Sequence, residues 1–262
     1  MATPSPSTPL TLSGKTAIVT GASRGIGEGI ALDFAARGAK VVLTYSSSKS
    51  DSAVSTTINK IKSLNNGSDA ISVRTDLRHP SAPGEIVSAT LSAFGPHIDI
   101  LVNNAGCELA KPITEMTAED FSYVYDLNVR APLLLSGAVV PHLRAPGRII
   151  NISSVGARSG FKNFSAYCSS KAALEGLTRV LAAELGEKGG HTVNAVNPGP
   201  VQTVLLEGIP RSLVEWQKDA TPVEHRLGTI DDVVQIVAFL AEERSRWVSG
   251  QCISASGGFS MW

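Results

Sequence analysis

Ser154, Tyr167 and Lys171 are the residues around which a chemistry can be built. A Tyr and a Lys four positions apart on a helix lie one turn above each other on the same face, so their head groups can share a site. An ammonium beside a phenol favours the phenolate. The spacing therefore predicts a tyrosine pKa drawn down from roughly 10, and a side chain able to give or take a proton. Ser154 follows the apolar run Ile149-Ile150-Asn151-Ile152, which reads as a strand. A hydroxyl at the carboxyl end of a strand stands where open α/β sheets bind ligands. Tyr-x-x-x-Lys alone also describes an ordinary surface helix; Ser154 and a glycine-rich turn near the start of the chain give it weight.

Positioning these groups requires a scaffold, and the pattern of the chain supplies one. Strand-like apolar runs fall at 16–20, 40–45, 70–75, 98–102, 148–152, 192–196 and 251–254. Helical periodicity occupies 27–37, 50–64, 83–94, 119–143, 165–185 and 230–240. Strand–helix alternation at this spacing predicts right-handed βαβ units and one doubly wound parallel sheet of about seven strands, with helices on both faces. With 262 residues, 43% of them hydrophobic, the chain can bury one large core. Residues 1–12, rich in Pro, Ser and Thr, are expected to be a mobile tail, and 13–262 a single catalytic domain.

Composition narrows the function. Lys plus Arg and Asp plus Glu are both 23, so the net charge is zero and no basic stripe argues for nucleic acid. No apolar run approaches a membrane span. Cys107, Cys168 and Cys252 are odd in number and widely spaced, which suits reduced thiols in a cytoplasmic setting. The five histidines show no metal-ligand spacing, so no metal is expected.

The first strand runs into Thr20-Gly21-Ala22-Ser23-Arg24-Gly25-Ile26-Gly27. Gly21 permits the tight turn, and Gly25 and Gly27 let the backbone approach a pyrophosphate resting on the following helix N-terminus. The spacing is Gly-x-x-x-Gly-x-Gly. Together with Asn103-Asn104-Ala105-Gly106, Asn128, Ser154, Tyr167, Lys171 and Pro198-Gly199, it resembles the short-chain dehydrogenase/reductase family from Lys15 onward. That resemblance implies a Rossmann-type domain and a catalytic tetrad of Asn128, Ser154, Tyr167 and Lys171, with Asn128 holding a water that links Lys171 to solvent. It also implies roles for Asp76 (adenine), Leu77 (packing on the ring), Asn103 (bridging strands near the adenosine ribose), Ala105 and Gly106. Pro198, Gly199, Val201 and Thr203 would run beside the nicotinamide.

The end of the second strand bears on the cofactor. Val42-Leu43-Thr44-Tyr45-Ser46-Ser47-Ser48-Lys49 carries no acid to hold a ribose 2′-hydroxyl. Hydroxyls at Tyr45, Ser46 and Ser47 and the nearby Lys49 suit a 2′-phosphate, and the resemblance implies that Arg24 in the glycine loop is the basic residue of NADP-preferring members, so NADP(H) is expected.

The loop from Gly156 through Phe161 to Phe164 must lie over the reacting centre. The segment from Leu205 through Ile209 and Trp216 is expected as an apolar lid or a docked amphipathic helix. The apolar C-terminal stretch, Phe259, Met261 and Trp262, suggests a homo-oligomer, a tetramer or dimer. The resemblance is nearest to NADPH-dependent ketoreductases of the 3-oxoacyl-carrier-protein and fungal polyketide or naphthol type, acting on a small-molecule carbonyl. A non-redox family member or an NADP-binding scaffold is the alternative.

Overall fold

The computed structural model describes residues 9–203 and 211–262. In chain order the strands are β1 (Thr16–Val19), β2 (Lys40–Tyr45), β3 (Asp69–Arg74), β4 (Ile98–Asn103), β5 (Leu143–Ile152), β6 (Thr192–Pro198) and β7 (Cys252–Ala255). They form one parallel sheet in the order β3-β2-β1-β4-β5-β6-β7. The helices are α1 (Gly25–Ala36), α2 (Asp51–Lys62), α3 (Ala82–Phe94), α4 (Ala118–Tyr125), α5 (Ala131–Val139), α6 (Ser165–Gly186), α7 (Arg211–Asp219) and α8 (Ile230–Ala241).

Alternation along the strands divides the core between the two faces of the sheet. Ala17, Val19, Val41 and Leu43 pack with Ile30, Phe34, Val237 and Leu240 of α1 and α8. Ile18 and Val42 point the other way, towards Ile86, Leu135, Val139 and Leu185 of α3, α5 and α6. The inner strands β1 and β4 are buried along their whole length and read as largely apolar runs, whereas the edge strands β3 and β7 are only partly buried. Strand order reverses between β1 and β4, and in such sheets that crevice beyond the carboxyl ends is where ligands sit.

Two boundaries differ from expectation. The single helix expected over 119–143 is broken into α4, a π turn at Asp126–Arg130, and α5, which ends at Val139. Pro132, four residues past Asn128, has no N–H to return to the Asn128 carbonyl, and Pro141 likewise cannot continue the ladder. The chain enters β5 at Leu143 instead. At the other end, Leu12 is fully buried and its N–H donates to the Arg37 carbonyl (2.9 Å), so the end of the expected tail belongs to the folded unit.

Candidate active site

A cleft of about 740 Å³ opens above the carboxyl ends of the strands. One end is made of backbone. Gly21 has φ +63°, open to glycine without strain, and a Cβ there would lie 2.9 Å from Ala105 Cα. A Cβ on Gly27 would lie 2.4 Å from the Gly21 carbonyl oxygen. No side chain caps the N-terminus of α1, whose first-turn N–H groups and positive dipole end are open to an anion. Gly21, Ser23, Arg24, Gly25, Ile26, Gly27, Tyr45 and Ser46 all line this end. Arg24 is exposed and has no ion-pair partner among the described residues. Thr44 also lines it, with a buried hydroxyl that has no hydrogen-bond partner among the described residues. A cradle that excludes a Cβ at Gly21 and Gly27, an uncapped helix and an orphaned hydroxyl fit a dinucleotide, and Arg24 fits an additional phosphate on it.

Asp76 and Leu77 line the cleft after β3. The Asp76 carboxylate also accepts the Arg78 N–H (2.9 Å), so the residue closes a local turn as well. Ala105, Gly106, Pro198, Gly199, Val201 and Thr203 line it from the ends of β4 and β6.

Two residues expected at the cofactor lie elsewhere. Asn103 is buried inside the sheet, where its amide donates to Asn151 Oδ1 (2.8 Å) and Ser136 Oγ (3.3 Å); it bridges β4 to β5 but does not line the cleft. The lining position falls to Asn104, whose amide holds the carbonyls of Thr20 and Gly21 and so fixes the glycine turn. Strand alternation separates the two: Asn103 ends β4 facing the core, and its neighbour faces out. Ser47 also stands off the cleft, because its hydroxyl accepts the Lys49 N–H and caps a short 3₁₀ turn.

The other end is made of side chains. Ser154 leaves β5 with its carbonyl bound by the Asn197 amide (2.8 Å) and its Oγ accepting the Gly156 N–H (3.0 Å). Its hydroxyl also lies close enough to the Tyr167 phenol to pull that group's pKa down. Tyr167 and Lys171 sit one turn apart on α6, and Lys171 Nζ donates to the Ile152 carbonyl at 2.8 Å. All three line the cleft.

The expected lowering of the tyrosine pKa is reversed. Burial pushes Tyr167 up to about 12, outweighing the Ser154 hydrogen bond that pulls it down, and Glu108 pushes it further up. Lys171 is itself buried, and loss of hydration lowers it to about 8. Its ammonium is aimed at a backbone carbonyl, with Nζ 5.9 Å from the centre of the Tyr167 ring.

Asn128 lies in the π turn, buried behind the cleft wall rather than lining it. Its Oδ1 accepts the Cys107 N–H, and its Nδ2 donates to the Cys107 carbonyl and to Ser170 Oγ, all near 3 Å. Both its N–H groups are thus held by protein acceptors, and the side chain braces the Cys107 turn.

Phe161, Phe164 and Trp216 line the catalytic end. Gly156 does not: it lies behind Ser154 and Tyr167, where an added Cβ would stand 3.3 Å from Ser154 Oγ. Leu205 and Ile209 lie outside the described residues. Phe259, expected at a subunit surface, instead lines the cleft edge-on to Trp216 at 5.8 Å. Met261 is exposed, and Trp262 lies against the Arg158 guanidinium. Arg78 and Glu108 are lining residues that sequence reasoning did not single out. Glu108 follows the Asn-Asn-Ala-Gly stretch by two residues, the one local signal that could have pointed to it.

A family model described as enoyl-(acyl carrier protein) reductase matches residues 21–260. The chain is 43% identical over 257 residues to a short-chain dehydrogenase/reductase of Cladobotryum, covering 95% of this chain and 97% of that one. The chain belongs to the short-chain dehydrogenase/reductase family. A hydroxynaphthalene reductase-like member from Metarhizium robertsii is 39% identical over 264 residues, covering 96% of this chain and 97% of that one. A solved short-chain dehydrogenase of Burkholderia cenocepacia, in complex with NADP, superposes with a TM-score of 0.87 at 37% identity, covering 95% of this chain and 99% of that one. Membership places this chain among the oxidoreductases. The seven-stranded parallel sheet is the family's architecture.

Proposed function

We propose that this short-chain dehydrogenase/reductase uses NADP(H) to reduce a ketone to a secondary alcohol. One observation carries the reading: Ser154, Tyr167 and Lys171 stand at one end of the cleft whose other end is the glycine cradle with Arg24, which has no ion-pair partner among the described residues. NADPH, when bound, would supply the hydride.

The chain's own groups account for the rest. Tyr167, with its pKa near 12, is protonated at neutral pH and can give its proton to the substrate oxygen as charge builds there. Ser154 donates a hydrogen bond to the same oxygen. Lys171 would hold ribose hydroxyls, and its ammonium favours the tyrosinate left after proton transfer. Asn128 keeps the Cys107 wall in place beside Lys171. Arg24, Tyr45 and Ser46 would hold the 2′-phosphate, and Asp76 and Leu77 the adenine. The aromatic walls of Phe161, Phe164, Trp216 and Phe259 favour a flat, polyketide-type ketone, and the hydroxynaphthalene reductase-like relative supports that class over a 3-oxoacyl thioester.

The exposed apolar side chains of Leu133, Leu134 and Val180 on α5 and α6 support a homo-oligomer, and three free thiols support a cytoplasmic setting. No described helix is long and apolar enough to cross a membrane.

Titrating NADPH and NADH separately, by nucleotide fluorescence or thermal shift, tests the reading. NADPH is expected to bind at least about tenfold more tightly. Equal or NADH-favouring binding overturns the cofactor assignment, and binding of neither overturns the enzyme.

A further inference from the structure

Glu175 is a buried carboxylate that the reaction above does not use. It lies on α6 one turn beyond Lys171 and two beyond Tyr167, on the same side of the helix. Both of its oxygens are engaged. Oε2 accepts from Arg158 Nε at 3.0 Å, and Oε1 accepts from Asn197 Nδ2 at 2.6 Å. The same Nδ2 donates to the Ser154 carbonyl at 2.8 Å, while Asn197 Oδ1 is buried without any partner. Leaving a buried amide oxygen unpaired costs free energy. The amide is held in that orientation because both groups facing its NH2, the Glu175 carboxylate and the Ser154 carbonyl, are acceptors.

Three other elements close around the group. Arg158 comes from the loop after Ser154, with the Trp262 ring 4.9 Å from its guanidinium. Cys252 of β7 faces both Arg158 and Glu175. Asn197 comes from β6. A buried carboxylate needs charge pairing and full hydrogen bonding to be tolerated, and here it has both. An apolar residue would fill the space with less desolvation, so an acid at this place points to a task.

We infer that Glu175 is a positioning residue for the reduction: through the Asn197 amide it sets the Ser154 carbonyl, and hence the direction of the Ser154 hydroxyl towards Tyr167 and the substrate oxygen. The inference rests on the ketoreductase reading for its kinetic consequence, but not for its structural one. A neutral amide carries one acceptor oxygen, so glutamine at this place can serve Arg158 or Asn197 but not both.

The test is a double-mutant cycle between Glu175→Gln and Ser154→Ala. Removing an oxyanion donor outright costs about 10²–10³ in kcat. Misdirecting it is expected to cost about tenfold, with NADPH affinity changed less than about twofold. In the Ser154→Ala background the same substitution is expected to leave kcat within about twofold, because the group it acts through is gone. Losses that multiply, or a lowered melting temperature with unchanged kcat, overturn the inference and leave Glu175 a structural residue. Glu175→Leu, which removes the charge and both acceptors while keeping bulk, provides a second variant if the glutamine protein folds poorly. A crystal structure of either variant reads the outcome without turnover. A Ser154 hydroxyl displaced from the Tyr167 oxygen supports the inference, and an unmoved one overturns it even if no ketone is ever reduced. Failure of the wild-type protein to reduce ketones would count against the ketoreductase reading alone.

Discussion

The two ends of the cleft are made of different materials. At the glycine end the working parts are main-chain amides, a helix dipole and empty space where side chains would otherwise be. At the Ser154–Tyr167–Lys171 end they are side-chain head groups, and loss of water perturbs Tyr167 and Lys171. A backbone site tolerates few substitutions because it is defined by exclusion. A side-chain site tolerates shape-preserving substitutions but loses its chemistry with a single atom. The contrast gives four expectations.

The largest effect belongs to the phenol. Tyr167→Phe removes one oxygen and no packing, and kcat is expected to fall about 10³-fold while NADPH affinity stays within about twofold. A large loss of nucleotide affinity would show the two ends to be coupled. Gly27→Ala does the opposite: its Cβ must displace the Gly21 carbonyl, so NADPH affinity is expected to fall about 10²-fold. Calorimetry on both variants separates the ends directly.

Arg24→Ala sharpens the comparison within the glycine end. NADPH affinity is expected to drop about tenfold and NADH affinity to stay unchanged, because a charge-assisted contact to the extra phosphate is lost while the amide cradle remains. Equal losses for both nucleotides would assign Arg24 to the pyrophosphate instead.

The smallest effect is on stability, at Lys171, and it is the one with a pH signature. Its pKa in the folded chain is about 8, below the roughly 10.4 of an exposed lysine. Below pH 8 both states are charged, and burying that charge destabilises the fold in full. Between about 8 and 10.4 the unfolded chain holds more protons, so the penalty fades as pH rises. Lys171→Met is therefore expected to raise the melting temperature by about 3 °C at pH 7, with the gain shrinking towards pH 10. A gain independent of pH would mean the lysine charge is not the cause.

Much of the scaffold was legible. The seven apolar runs become the seven strands, since a strand inside a sheet covered by helices must carry apolar side chains on its buried positions. Gly21, Gly25 and Gly27 could be read because their use is local: a turn, a close approach and a helix start within eight residues. Ser154, Tyr167 and Lys171 were legible as a set for a similar reason, helix periodicity for two of them and a strand end for the third. The break at Asn128 was overlooked although Pro132 marks it, because the apolar period runs through the break undisturbed. Asn103 is expected near the cofactor but Asn104 lines the cleft, since strand alternation leaves the facing of a terminal residue open until the neighbouring strand is in place. Phe259 was assigned outward because nothing in its own stretch reveals Trp216, 43 positions earlier in the chain.

By itself the sequence determined the order of the elements, the backbone cradle and the identity of the acid–base candidates, because periodicity, glycine sterics and residue chemistry act over one or two turns of chain. Only the tertiary structure decided how those groups are tuned. Tyr167 is raised and Lys171 lowered by the loss of water around them, and the Asn197 amide is oriented by a carboxylate on a different element. Burial and convergence belong to surfaces brought together across the sheet, and no local spacing encodes them.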